Sequence, residues 1–342
     1  MGMADIADRL ELQAQACGSM GSAFTAALIQ AALSDYRKDG KVRDLLDSYP
    51  HYPRPGLNLA AALHYLALEG ESTLSKHYPS VGGDGDGLAA WSAGQSILAQ
   101  DRDRVERLFT RNVQTNEPAR SMPILAASLW VAAQFNLPIR LFEVGAGAGL
   151  NLRFDHYRYE EADWSWGDAD SALVLHNSTK QGRPKDVHAS LKVIERRGCD
   201  LRPIDLGNSS ERLSLQSFVW PDQTDRLDRL RAAIRAAEDI PVTIDAERFS
   251  TWLQREVRCG GGYVTVIMHT VVEEHMSANE RAELNEAIAE HAEEASPRAP
   301  LAHVRMELNE GRYCTKVTAW SGSTLATTIC TSDGHAQGII WM

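Results

Sequence analysis

Hydrophobic positions in the first 135 or so residues recur at helical spacing, and β-branched runs are scarce, which predicts helices throughout. Between Asn58 and Gly70, for example, Leu59, Leu63, Leu66 and Ala67 form one stripe; Asn58 is the expected N-cap and Gly70 the stop. A loop rich in Gly and Asp follows Tyr78-Pro79-Ser80-Val81-Gly82-Gly83, and helical patterns resume at 88–109 and 122–135. The pattern changes at Pro138. Ile139 to Val144 is a short apolar strand running into glycines. After it, 213–220, 241–244 and 263–269 read as strands, and 225–238, 247–257 and 277–295 as helices. The last helix opens on a capping box, Ser277-Ala278-Asn279-Glu280. Three further strands, 301–308, 313–320 and a last one through Trp341, follow without helices between them. Alternating near-continuous apolar strands and helices predict a mostly parallel α/β sheet covered on both faces, with an antiparallel C-terminal edge. The expected organisation is a helical N-terminal cap domain over 1–135 and a Rossmann-like domain over 136–342.

Composition narrows the function classes. The formal net charge of −11 moves the expectation away from nucleic acid, whose binders carry a basic face, and toward a small-molecule substrate. Five scattered cysteines without a C-x-x-C pair exclude a zinc ribbon and suit free thiols in a reducing compartment. There is no run of 18 apolar residues to span a membrane, and Met1-Gly2-Met3-Ala4-Asp5 lacks the pattern of a signal peptide, so a cytoplasmic location is expected. Neither a G-x-S-x-G elbow nor a G-x-x-x-x-G-K-[ST] loop is present.

The most informative segment is Glu143-Val144-Gly145-Ala146-Gly147-Ala148-Gly149-Leu150-Asn151. A strand enters a turn of glycines and alanines, where small residues let backbone approach a ligand, and a helix is expected next. A dinucleotide fingerprint needs glycine at 150, where Leu150 stands. A carboxylate two residues before the first glycine suits a cationic ligand better than a pyrophosphate. A tight turn without a ligand is the plain alternative.

The pattern E-x-G-x-G-x-G resembles the first motif of class I methyltransferases, which bind S-adenosylmethionine. That resemblance implies a cofactor held by Glu143, Gly145, Ala146, Gly147, Gly149 and Asn151. It also implies an acid after the second strand for the ribose and one after the third for the adenine. Asp222, in Phe218-Val219-Trp220-Pro221-Asp222, and Asp245, in Thr243-Ile244-Asp245-Ala246, are the respective candidates. The family places its second strand much sooner after the first, so 153–212 is read as an insertion. If 153–212 holds the second strand instead, Asp200 is the ribose acid. The whole chain is also similar to an uncharacterised bacterial family, through Tyr78 to Gly83, Val113 to Glu117, Gly145 to Leu152, Arg197 to Asp200 and Phe218 to Gln223.

Several residues bear on the transfer step. His269 ends the strand expected to lie beside the methyl, where a neutral imidazole is suited to remove a proton, or is simply a satisfied histidine. No metal is expected, because His269 and His275 do not follow H-E-x-x-H spacing. Asn116 and Arg120 are candidate substrate contacts or an ordinary helix start. Tyr157, Tyr159, Trp164 and Trp166 either line a pocket or pack a core. Three functions remain open: a methyltransferase, a non-catalytic module binding an adenosine compound, and a nicotinamide oxidoreductase. The oligomeric state is left open.

Overall fold

The computed structural model describes residues 5–111 and 113–342; the expectation drawn from Met1 to Ala4 lies outside them. Twelve α-helices are formed: α1 (Ile6–Ser19), α2 (Ala23–Arg37), α3 (Lys41–Asp47), α4 (Pro55–Glu69), α5 (Ser72–Ser75), α6 (Gly87–Gln100), α7 (Arg102–Phe109), α8 (Ser121–Phe135), α9 (Ser209–Ser217), α10 (Thr224–Ala236), α11 (Phe249–Glu256) and α12 (Ala278–Glu293) among the described residues. The strands are β1 (Ile139–Val144), β2 (Arg158–Glu160), β3 (Ser165–Trp166), β4 (Val174–His176), β5 (Thr179–Gln181), β6 (Val193–Asp200), β7 (Thr243–Ala246), β8 (Val264–Thr270), β9 (Leu301–Asn309), β10 (Arg312–Trp320), β11 (Thr324–Ser332) and β12 (Ile339–Trp341). The chain divides into two compact units, residues 1–115 with 207–231 and residues 116–206 with 232–342.

In the first unit, short polar side chains start several of the helices. Asp5 accepts from the Ile6 amide at α1, Ser22 from Thr25 at α2 and Asp86 from Leu88 and Ala89 at α6. The apolar faces of α1 to α7 meet in one core that includes Leu10, Leu28, Leu63, Tyr78 and Phe109, and Leu213 and Trp220 pack against it. Gly70 ends α4 at φ 102°, as the pattern predicts. Asn58 does not cap α4. Pro55 begins that helix three residues earlier, and Asn58 is buried inside it, donating from Nδ2 to the carbonyls of Phe109 and Arg111. The segment 88–109 is broken into α6 and α7 at Asp101, whose carboxylate accepts from the Arg104 amide. The strand expected at 213–220 is instead the end of α9 and the turn after it. A short apolar run has no decisive period, and Asn208, accepting from the Ser210 amide, starts a helix.

The second unit is built on a nine-stranded mixed sheet of order β5-β12-β11-β10-β9-β8-β1-β6-β7. The block β9, β8, β1, β6 and β7 is parallel, whereas β9 to β12 run antiparallel to their successive neighbours, as expected of the C-terminal edge. β12 pairs in parallel with β5. All seven residues of β8 are buried, in keeping with its continuous apolar run. Phe142, Val144, Cys199, Ile267 and Leu301 share a core with Trp252 and Leu253 of α11 and Leu284 and Ile288 of α12. α8 packs on β9, β10 and β11.

The expected insertion at 153–212 requires correction, because β6 lies within it and pairs directly with β1. Its sequence, Val193-Ile194-Glu195-Arg196-Arg197-Gly198-Cys199-Asp200, is too charged to read as a central strand. Its charges are nonetheless paired: Glu195 with Arg140, Arg196 with Asp155, and Arg197 with Asp245 and Glu256. The excursion between β1 and β6 is thus shorter, holding a 3-10 helix (Asn151–His156), the small sheet β3-β2-β4 and β5.

Candidate functional site

The glycine turn lies at the carboxyl end of β1. Gly145, Gly147 and Gly149 all take positive φ, at 72°, 57° and 67°. The turn is stitched to the end of β6: the amides of Gly145 and Ala146 donate to the Cys199 carbonyl at 2.9 and 3.0 Å, and the Gly147 amide donates to Asp200 Oδ2 at 2.9 Å. Beyond it the Leu150 amide donates to Asn116 Oδ1 at 2.9 Å, and Arg153 donates to the Gly149 carbonyl. The three glycines serve different ends. A Cβ on Gly145 lies 2.6 Å from Val272 Cγ2, and one on Gly149 lies 2.9 Å from both Ile244 and Val242. Beside Gly147 the nearest atoms are those of Asn116, at 3.7 Å, so this position has space in front of it. The turn leads into the six-residue 3-10 helix, where a helix was expected. Tyr157 and Tyr159, fully buried, donate to the carbonyls of Leu150 and Phe154 from below. Those two tyrosines buttress the turn, and Trp164 packs edge-on against Trp341. These aromatic contacts are core packing.

Glu143, the last residue but one of β1, is 1% exposed, and its Oε2 has no hydrogen-bond partner among the described residues. Burial, with Asp200 nearby, pushes its carboxyl well above the usual carboxylate range, and Arg120 and Arg153 pull the other way. Asn151 is also buried, with Oδ1 accepting from Ser121 Oγ at 3.0 Å and Nδ2 unpartnered among the described residues. Asn116 and Arg120 belong to the same unit as the turn. The Arg120 Nε donates to the Gly334 carbonyl at 3.0 Å.

The three carboxylate candidates separate. Asp200 ends β6, next to β1, and its two oxygens accept from the amides of Gly147 and Arg202. Asp245 ends β7 and accepts from Arg197 and from Trp252 Nε1, at 2.9 and 2.7 Å. Asp222 belongs to the first unit, where its carboxylate accepts from Ser22 Oγ at 2.5 Å and the Phe24 amide at 3.0 Å. Its expected place after a second strand is therefore corrected: the segment leading into it is α9 and a turn, and Asp200 ends the strand beside β1.

His269 lies near the carboxyl end of β8, as expected, but both ring nitrogens are engaged. Nδ1 lies 2.7 Å from Glu307 Oε1, and Nε2 lies 2.9 Å from His303 Nε2. Burial, then the neighbouring His269, lowers His303 well below the ordinary imidazole range, which disfavours its charged form. Glu307 also accepts from the amides of Val272 and Glu273. Those amides are aimed by Val271, whose φ of 56° is a strained value for a β-branched residue. Both ring nitrogens of His269 are thus bonded within the protein, the arrangement of the satisfied histidine that was the plain alternative to a base. Glu307 and His303 were not singled out in the sequence, because they lie on β9, far along the chain, in a strand that reads as plain alternation. His275 is exposed and outside the cluster.

The sequence matches, over residues 7–341, the model of a family described as an uncharacterized protein conserved in bacteria, DUF2332. The chain belongs to that family. No curated protein matches it. The family match covers both units, glycine turn and histidine cluster alike. No helix among the described residues is long and apolar enough to cross a membrane.

Proposed function

We propose that the second unit is a Rossmann-like domain that binds S-adenosylmethionine at the glycine turn, and that the protein transfers its methyl group to a small-molecule acceptor. The observation that carries this reading is Glu143. A buried carboxyl with an oxygen left unbonded is costly unless a ligand supplies the partner. S-adenosylmethionine brings an ammonium and a sulfonium and no phosphate, which suits a carboxyl set before the first glycine. The parallel block β7-β6-β1-β8-β9 supports the reading as well. Its order is that of a doubly wound sheet counted third, second, first, fourth, fifth, whose ligands lie beyond the carboxyl ends at the reversal beside β1. On this reading Glu143, Gly145, Ala146, Gly147, Gly149 and Asn151 surround the cofactor, and Asn116 and Arg120 face the acceptor. On the same reading Asp200, whose oxygens already accept from the amides of Gly147 and Arg202, is the ribose candidate, while Asp245 is already engaged through Oδ2 by Arg197 and Trp252.

Methyl transfer asks little covalent help of a protein, since the sulfonium is already activated and alignment supplies much of the rate. The engagement of both His269 nitrogens favours a second reading, in which the unit binds the cofactor without turning it over. Calorimetric titration with S-adenosylhomocysteine, using NADH as control, tests the shared step. Micromolar binding of the first alone is expected, and binding of NADH alone would return the turn to dinucleotides. Consumption of S-adenosylmethionine in a pool of metabolites then separates transfer from binding.

A further inference from the structure

We infer that His269, Glu273 and Glu307 form a binding site for a divalent first-row transition-metal ion. One ligand atom from each lies within 4.8 Å of the others, with His269 and Glu307 buried and Glu273 partly exposed. The three come from three places: the end of β8, the one-turn 3-10 helix at Glu273–His275, and β9. No sequence spacing could announce them. One imidazole and two carboxylates make a mixed nitrogen and oxygen donor set, suited to Zn2+, Mn2+ or Fe2+ rather than to Ca2+ or Mg2+, which favour oxygen alone.

Two features of the surroundings fit such a site. A metal-ligating histidine characteristically donates its other ring N–H to an acceptor that fixes its tautomer. Here His303 Nε2 lies 2.9 Å from the far nitrogen of His269 and accepts that hydrogen bond when Nδ1 binds the ion. Glu307 is oriented in turn by the amides of Val272 and Glu273, held by the strained turn at Val271. A tetrahedral zinc site spaces its donors by roughly 3.4 Å, so His269 Nδ1 and Glu307 Oε1, 2.7 Å apart, open slightly while Glu273 moves in to close the wider spacing, which is within 4.8 Å. Glu273 is free to make that move: its ion pair is with the half-exposed Arg305, at 3.5 Å, and such a pair contributes little. Three protein donors leave the remaining coordination positions to water or to an oxygen of a substrate. The inference is independent of the cofactor reading, because the ion is tested on the chain without S-adenosylmethionine.

The test is dialysis of the full chain, first stripped with a chelator, against Mn2+ or Zn2+, with the bound ion counted by mass spectrometry and Mn2+ followed by pulsed electron paramagnetic resonance. One equivalent is expected, with nitrogen coupling to the bound Mn2+ from His269. Glu273→Gln, a change at a partly exposed side chain whose fold is checked by circular dichroism, is expected to weaken binding by about tenfold or more. No ion bound, no nitrogen coupling, or wild-type affinity in a folded Glu273→Gln variant overturns the site.

Discussion

A carboxyl buried as deeply as that of Glu143 makes the folded state prefer the proton. The reason is burial first and the repulsion of Asp200 second, only partly offset by Arg120 and Arg153. The sign for stability follows. The folded-state pKa is raised above the unfolded value, so the folded chain holds the proton more tightly than the unfolded chain does. The stabilisation is complete below the ordinary carboxylate range and is lost as pH rises from that range through the raised value. Denaturant titrations at pH 5 and pH 8 are expected to show wild type losing stability over this interval and Glu143→Gln keeping it. Equal slopes in the two proteins would mean that Glu143 stays ionised throughout. The same substitution is expected to weaken S-adenosylhomocysteine binding, which sets it apart from an ordinary repair of a buried charge. Glycines nearby separate in the same way. Gly145→Ala meets Val272 as well as the wrong φ and is expected to cost more than the ~1–2 kcal/mol of the backbone term alone. Gly147→Ala meets no such contact and should cost about that term, so a larger loss in Gly147→Ala than in Gly145→Ala would contradict the packing described.

The elements around the turn assign different work to two acids that look alike in sequence. Asp200 holds the turn, accepting from Gly147 on one side and Arg202 on the other. Asp200→Ala leaves those amides without their acceptor, which costs roughly 1–3 kcal/mol. It is expected to speed hydrogen exchange at 145–150 and to weaken ligand binding together. Asp245 ties β7 to β6 and α11 through Arg197 and Trp252. Asp245→Asn is expected to lower the melting temperature with affinity for S-adenosylhomocysteine unchanged, and a selective loss of affinity would restore it to the adenine. These elements also explain what could be read beforehand. β1, β8 and the capping box of α12 were legible because an apolar run, or a Ser with Glu three residues on, has one local meaning. β6 was legible only as the alternative that placed Asp200 after a second strand, because its charges are satisfied by partners brought in from Arg140, Asp155 and Asp245, which no window of sequence contains. The cluster of His269, His303 and Glu307 was hidden for the same reason, since pairing of β8 with β9 creates it.

At the scale of the molecule, the chain leaves its first unit at Thr115 and returns to it for residues 207–231. The return is not a loose crossing. α9 packs on α4, Leu213 and Trp220 add to the helical core, and the Ser217 carbonyl lies 3.1 Å from Nδ1 of the buried His64. Burial lowers the His64 pKa to about 4, so the ring enters this core neutral, with Ser80 Oγ 2.8 Å from its other nitrogen. Asp222 meets Ser22 Oγ and the Phe24 amide at the start of α2. A chain cut after Thr115 loses all of these partners at once and leaves a buried imidazole with one nitrogen unsatisfied, a loss of about 1–3 kcal/mol before the apolar contacts are counted. Against a total stability of roughly 5–15 kcal/mol for an ordinary domain, that is a large share. Residues 1–115 alone are therefore expected to melt at lower temperature and less cooperatively than a version in which residues 207–231 are joined to them by a flexible linker. Circular dichroism during heating makes the comparison. Equal melting of the two would show that the returning segment adds nothing to this core, and that the two pieces of the unit fold for separate reasons.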